Sequence, residues 1–508
     1  MLSTVLLGAL PVGASGSLGL NSTPINTSDY AIDLFQGPVL AGTRVSGMGG
    51  AYVALSEDID GSLQNPATPA VRPFHSNEYF DYYPTLGITF PALVSSSDFF
   101  NSGERSELLS SPDSFVFLTP GINLQWGTFG IGLTLEFQNY SFEDLAIFTD
   151  DVPGGTTENS ALGTFITTGH LQIANAFLDG QLVAGVGARF LSMEIDTFSS
   201  VRRAGALISE GEAVFSSSGS GFELGLVWRP NDQAYRVGLA YRSSIETQAQ
   251  FSSDLLPNDS GDIVINPVSP FFLPDRVSLP WDLNIGVAYQ VGRRTLNPRW
   301  QSVDDLAERD LLRVRLRQLD RELEEEAVLR GATPAERKSL KRQFAEAKKA
   351  DRRERRRIRE RARAQLRERW RVQSRRYLLI STSLLITGPA SEAVGIESFL
   401  SQTVNRSGER VVASPRVGVE TEAWPDRLKL RAGAYLEPTR FEISESRVHG
   451  TLGFDLRLGN SDIFGIWPRD YVWRLSAVMD VAPSYFAWGL GIGGWFPRVK
   501  AGTTTSGR

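Results

Sequence analysis

The 508-residue chain contains no cysteine. That excludes disulfide scaffolds, cysteine zinc sites and thiol catalysis together. It also suits a chain that must pass through an oxidising compartment. Histidine is nearly absent as well. His75, His170 and His449 are the only three, far apart, and none stands at metal-ligand spacing. A hydrolytic Ser–His pair could be sought only at His170, in Thr167-Thr168-Gly169-His170, and nothing else of a nucleophilic site accompanies it. The expectation is therefore no enzyme, no catalytic residues, no cofactor and no metal. Finally, no apolar run approaches the roughly 20 residues a membrane-spanning helix requires. If the chain crosses a membrane, it does so as a closed barrel, because an open sheet edge cannot be satisfied in lipid.

What is present is glycine, 48 residues of it, and an uneven distribution of charge behind a modest net −6. Residues 303–376 hold 25 Lys and Arg against 15 Asp and Glu; the rest holds 27 against 43. A basic block is thus inserted into an acidic body, and the two should meet different partners.

From residue 77 onward the sequence falls into segments with period-two alternation, the signature of barrel strands. Leu428, Leu430, Ala432 and Ala434 share one face while Arg427, Lys429 and Arg431 share the other. Leu452, Phe454, Leu456 and Leu458 alternate with Gly453, Asp455 and Arg457. Fourteen such segments are expected, at 77–89, 113–126, 128–142, 163–177, 180–196, 219–229, 233–251, 276–291, 376–388, 411–424, 427–438, 447–459, 471–483 and 485–496. Connections after the second, fourth, sixth and tenth are tight. Those after the first, third, fifth, seventh and ninth are long. Short turns on one rim and long loops on the other follow the rule for outer-membrane barrels, with the short turns periplasmic. Trp126, Trp228, Trp424 and the pair Trp495-Phe496 fall beside the short turns, where an interfacial aromatic girdle belongs.

The expected architecture is all-β: a 14-stranded antiparallel transmembrane barrel with an N-terminal luminal hatch and an inserted periplasmic α-helical hairpin. Residues 1–14 read as a secretory signal ending at Val12-Gly13-Ala14. Residues 15–75 form the lead-in and hatch, 76–302 the first eight strands, 303–375 the hairpin, 376–497 the last six strands and 498–508 a tail. In the hairpin, Leu312, Leu316, Leu319 and Leu323 recur at helical spacing. Thr333-Pro334-Ala335-Glu336 supplies a cap, a first-turn proline and a capping-box acid for the second helix. The Arg-rich second arm could meet an anionic envelope component or an acidic protein; nucleic acid is not expected of a secreted barrel. Gly489-Leu490-Gly491-Ile492-Gly493-Gly494 has the spacing of a dinucleotide loop but lies inside a strand with no helix after it, so it is read as close strand packing.

Two luminal ion pairs are expected across the turn at 424–427, Glu420 with Arg431 and Glu422 with Lys429. The loops of the long rim carry apolar clusters: Phe90, Leu93, Phe99 and Phe100; Phe271, Phe272 and Leu273; Ile396, Phe399 and Leu400. These are candidates for an outward-facing apolar ligand groove or for anchors that hold the loops to one another.

The stretch Gly47-Met48-Gly49-Gly50-Ala51-Tyr52, followed by Ser56-Glu57-Asp58 and Asn65-Pro66-Ala67 ahead of the first strand, resembles the outer-membrane long-chain fatty-acid and hydrocarbon transporter family (FadL type). It also resembles the related PorV-type barrel of type IX secretion. The resemblance implies an outer-membrane location with outer-membrane lipid around the wall, and passive transport of hydrophobic small molecules, fatty acids or hydrocarbons, past a luminal hatch. It implies that Gly47, Gly49, Gly50, Glu57, Asp58, Asn65, Pro66 and Ala67 belong to a hatch inside the barrel, with a lateral exit beside it. The alternative is an interaction barrel that docks a secretion or envelope partner through its hairpin; the basic insertion departs from the family pattern.

Overall fold

The computed structural model describes residues 23–72, 79–91, 98–103, 115–142, 159–203, 206–251, 257–265, 271–441, 444–460 and 472–495. The expected signal segment, His75, Leu93, Phe496 and the tail lie outside these.

Fourteen antiparallel strands close on themselves. They are β1 (Phe80–Pro91), β2 (Phe115–Trp126), β3 (Phe129–Phe142), β4 (Asn159–Phe177), β5 (Leu182–Arg203), β6 (Ala206–Trp228), β7 (Tyr235–Arg242), β8 (Asp282–Gly292), β9 (Tyr377–Thr387), β10 (Val412–Trp424), β11 (Leu428–Glu437), β12 (Arg447–Asn460), β13 (Val472–Ala482) and β14 (Tyr485–Trp495). Each pairs with its neighbours in sequence, and β1 pairs with β14 to complete the ring. Closing the ring pairs the first strand with the last, as a sheet in lipid demands.

The wall is inside-out relative to a soluble barrel. On β12, Leu452, Phe454, Leu456 and Leu458 are exposed, while Thr451 and Asp455 are buried. On β6, Phe222, Leu224 and Leu226 face out and Glu223 is wholly buried. An apolar exterior around a charged interior is stable only where the surrounding solvent is itself apolar. Trp228 and Trp424 are exposed near the short-turn rim. Trp495 is not part of that girdle: it is buried, its Nε1 donates to Asp426 Oδ1 at 3.3 Å, and Lys429 lies 5.1 Å from its ring centre.

Two wall segments differ from their sequence expectation. The long loop expected after β5 is absent. β5 and β6 continue as paired strands to Arg203 and Ala206, past a bulge at Ile195/Asp196, so this hairpin stands taller than its neighbours. The expected seventh strand, 233–251, splits. β7 ends at Arg242, and Ile245–Gln248 turns inward to pair with Arg276–Leu279. The turn crosses β6 at Gly219 and Gly221, where an added Cβ would meet Ile245 or Ser243 atoms at 2.7 Å. Only glycine leaves room there. Pro280, which lacks an N–H, separates Arg276–Leu279 from β8.

The inward-turned strands join a second, five-stranded sheet inside the outer half of the lumen. Ala31–Asp33 runs parallel to both Arg276–Leu279 and Ala393–Val394, and Arg406–Ser407 completes the edge. The lead-in, read from sequence as irregular, thus contributes a strand. Beneath it, Ile32, Met193, Ile195, Phe215, Val277 and Phe399 form a buried apolar core with their neighbours.

Candidate functional site: a sealed lumen

Residues 41–72 fill the inner half of the lumen. The short helix α1 (Thr43–Gly47) places Arg44 at the centre. Arg44 Nε donates to Glu420 Oε2 at 2.8 Å and its Nη2 to Glu420 Oε1 at 3.1 Å, a two-pronged pair with the wall. Its Nη1 donates to Glu57 at 3.2 Å and Asp58 at 3.1 Å. Glu420 also accepts from Arg431 Nε at 2.7 Å and from the Tyr377 hydroxyl at 2.9 Å. Arg431 continues the chain to Asp455, whose Oδ1 accepts from Arg431 Nη1 at 2.7 Å and from Ser476 Oγ at 2.8 Å. Glu57 is held on its other side by Arg236, at 2.8 Å. Burial raises the Glu57 carboxyl, but Arg236 and Arg44 outweigh it and hold the group at about 2. A chain of buried, mutually paired charges therefore ties segment 41–72 to four wall strands, β7, β10, β11 and β12.

Backbone contact supplies the rest. Gly49 and Gly50 take left-handed backbone, with φ of 59° and 73°, and fold the segment back after α1. The wall meets the turn with glycine: a Cβ on Gly433 would sit 2.4 Å from Gly49 N, and one on Gly418 would sit 2.4 Å from Met48 O. Asn65-Pro66-Ala67 makes the next contact. Asn65 Nδ2 donates to Val53 O (2.9 Å), Leu226 O (3.1 Å) and Leu239 O (3.3 Å), and its Oδ1 accepts from Ala67 N at 2.9 Å. Wall Gly225 faces Asn65 so closely that a Cβ would lie 2.1 Å from its Oδ1.

Above this segment and below the apolar core lies a cavity of about 150 Å³. One side is apolar: Leu34, Leu40, Phe100, Ile166, Leu191 and Ile396. The other is charged: Glu136, His170, Arg189, Arg242, Asp282 and Arg416. His170 bridges Glu223 at 3.1 Å and Glu136 at 3.3 Å. Arg242 and Arg189 flank Asp282, at 3.4 and 3.6 Å. Arg416 is buried, donates through Nε to Ser414 Oγ at 3.3 Å, and has no carboxylate within 4.0 Å among the described residues. These cations escaped the site list from sequence. Inward parity on their strands was the available signal, but it marks every luminal charge alike.

A second opening lies at the closure of the ring. β1 and β14 pair only from Leu86/Ile492 to Pro91/Ala487. Below that, residues 80–85 bond only to β2. The resulting slot, about 80 Å³, is lined by Asp58, Ile59, Asp60, Tyr82, Tyr83, Pro84, Thr85, Arg474, Gly493 and Gly494. Pro84 has no N–H to offer a ladder. Burial raises the Asp60 carboxyl above its ordinary 3.8, against the pull of Arg474.

The expected side-chain groupings meet different fates. Glu420 and Arg431 are paired. Glu422 and Lys429 are not: a register shift between Thr421 and Trp424 takes Glu422 out of line, where it accepts from the Asp426 backbone N–H while Lys429 covers Trp495. The apolar loop residues do not form an open groove. Phe99, Phe271, Leu273 and Phe399 are buried in the outer core, with Phe100 and Phe272 packed against it. Phe90 stacks on Trp488 at 4.7 Å. The luminal sheet packs on Phe271 and Phe399, so those rings hold the loops together.

No protein-family model matches the sequence, and no curated protein matches it. Among solved structures the chain is similar to the CymD monoaromatic hydrocarbon channel, with 10% identity, a TM-score of 0.45 and coverage of 91% of this chain and 97% of that one. It is similar to the Pseudomonas putida toluene transporter TodX at 10% identity and TM-score 0.43, covering 92% and 98%. It is also similar to a Pseudomonas aeruginosa FadL homologue at 11% identity and TM-score 0.45, covering 91% and 99%.

Proposed function

We propose that this barrel sits in the outer membrane and passes hydrophobic small molecules inward, with residues 41–72 as the hatch. The observation that carries the reading is the luminal cavity, apolar on its outer side and seated directly on the ion-paired segment. A cavity of this order takes a guest about the size of one benzene ring. An apolar solute gains by leaving water for the apolar side of this cavity, whereas water and ions find the way below blocked by backbone packed on wall glycines. The slot between β1 and β14 gives such a solute an exit at the level of Asp58–Asp60, sideways into the bilayer rather than down a wet channel. Tyr82 and Tyr83 line that slot.

The test is uptake of a radiolabelled monoaromatic hydrocarbon by cells carrying the intact chain or variants. Introducing paired cysteines that bridge β1 and β14 at Thr85 and Gly493 should stop uptake when oxidised and restore it when reduced. Uptake that ignores the bridge sinks the lateral route, and equal uptake by cells lacking the barrel sinks transport altogether.

The long second helix of the hairpin supports a separate proposal, that it rests against an anionic envelope component. Arg352, Arg353, Arg357 and Arg361 have no ion pair among the described residues. Salt-sensitive binding to anionic vesicles, lost on replacing these four, is the expected result.

A further inference from the structure

We propose that two copies of this chain pair through the outer face of the first hairpin helix, forming a short parallel coiled coil beneath the membrane. The helix α2 (Val303–Gly331) packs along α3 (Pro334–Val372). Its contact row is Val303, Ala307, Leu311, Val314, Gln318, Arg321 and Glu325, which are buried or half-buried. That face is held by ion pairs: Arg321 with Asp351 at 2.9 Å, Glu325 with Lys348 at 2.8 Å. The leucine row Leu312, Leu316, Leu319 and Leu323 is elsewhere. At about 100° per residue it points roughly 150° away from α3. All four are exposed, at 54, 52, 48 and 69%. A solvated helix gains nothing from four leucines in one line, and the spacing of 4, 3 and 4 is that of a coiled-coil seam.

The flanking charges identify the occupant. With Leu316 and Leu323 at a and Leu312 and Leu319 at d, the g positions hold Glu308, Arg315 and Glu322, and the e positions Arg313 and Asp320. In a parallel pair each g residue meets the e residue five further along the partner. Glu308 then meets Arg313, and Arg315 meets Asp320: both contacts are between opposite charges, and both occur twice by symmetry. Glu308, Arg315 and Asp320 have no ion pair within the chain among the described residues. The edges of the seam therefore match a second copy of themselves in register. Two barrels threaded the same way through one membrane are related by a twofold along its normal, so two helices descending from them run parallel. The seam spans only two heptads, marginal for free peptides, but confinement in the membrane raises the local concentration of the second copy.

The absence of native cysteine makes the test direct. Single variants L316C, L319C and E324C of the full chain, reconstituted in lipid vesicles, are oxidised and separated by mass. Self-crosslinking at 316 and 319 at least tenfold faster than at 324, which lies off the seam, is expected. Heat-modifiable mobility checks that each barrel is folded. R315E should lower the crosslinked fraction several-fold and R315E combined with D320R should restore it, since only the parallel register pairs those two positions. Folded chains that stay single at every protein-to-lipid ratio overturn the proposal. So does crosslinking of L312C with L323C in preference to L316C with itself, which marks an antiparallel pair.

Discussion

The two halves of the lumen are filled by different physics. The inner half is charged and tied: Arg44, Glu420, Arg431 and Asp455 form one continuous chain of buried ion pairs, laid against bare glycine backbone. The outer half is mostly apolar, with Met193, Ile195, Phe215, Val277 and Phe399 under a small sheet, and holds separate ion pairs, Arg440 with Asp33 and Arg447 with Glu437, rather than one chain. Buried ion pairs depend on geometry and fail abruptly when one partner is lost. Apolar cores tolerate substitution and yield by degrees. The difference teaches that the inner half holds one discrete arrangement, while the outer half is packed less selectively.

The sharpest break of this contrast is steric. Gly225→Val places a side chain where a Cβ alone would lie 2.1 Å from Asn65 Oδ1. The Asn65-Pro66-Ala67 turn must leave the wall. Cells carrying this variant are expected to become permeable to large antibiotics, at least tenfold in inhibitory concentration, while the barrel still inserts. Next comes Glu420→Gln, which removes the carboxylate that Arg44 and Arg431 share and leaves them to Glu57, Asp58 and Asp455, at a cost of about 3–5 kcal/mol. Its expected signature is a fluctuating ion conductance in planar bilayers. Phe399→Ala removes a wholly buried ring from the outer core, for about 3–5 kcal/mol. Loss there should lower the thermal transition of the outer sheet yet leave the conductance closed. If Phe399→Ala leaks as much as Glu420→Gln, the two halves are not distinct.

The sequence made the wall legible and the interior only partly so. Period-two alternation reports which face a residue takes, and tight turns fix strand ends, so residues such as Leu452 and Asp455 could be placed without a structure. The same rule read 233–251 as one strand, because alternation continues through Ser243 while the chain leaves the wall; glycine at 219 and 221, on another strand, is what permits the bend. Loop phenylalanines looked like an exposed groove because local sequence cannot show that Ala31–Asp33, more than 200 residues away from Phe271, lies over them. Glu422 was paired with Lys429 on the assumption of unbroken register, which a bulge in the turn removes. The cations of the cavity were visible as luminal charges, but only the structure brings Arg189, Arg242 and Arg416 around one space.

Acid should separate the halves more gently. Glu57 sits at about 2 in the closed state against an ordinary 4.5. A carboxyl lowered by folding contributes its full stabilisation above the ordinary value and loses it as pH falls through the lowered one. The contribution, on the order of 3 kcal/mol from that gap, is therefore present above pH 4.5 and lost toward pH 2. Conductance through the inner half should rise over that window; Glu57→Gln should leak already at neutral pH and flatten the profile.

The smallest effect tests whether exposed charge matters at the rim of the outer half. Arg276 lies at the rim of the small sheet among Asp29, Asp275 and Glu392, at 2.9, 3.0 and 3.3 Å. The distances rival those around Glu420, yet Arg276 is 37% exposed and its three partners are 43–75% exposed. Water screens each pair and already solvates both ions, so the contacts add little beyond what the separated groups enjoy. Arg276→Ala is expected to cost less than about 1 kcal/mol in thermal unfolding and to leave conductance unchanged. A loss comparable to that of Glu420→Gln would mean that three exposed acids hold the outer sheet by charge, and burial would no longer be what separates the strong ion pairs of the lumen from the weak ones.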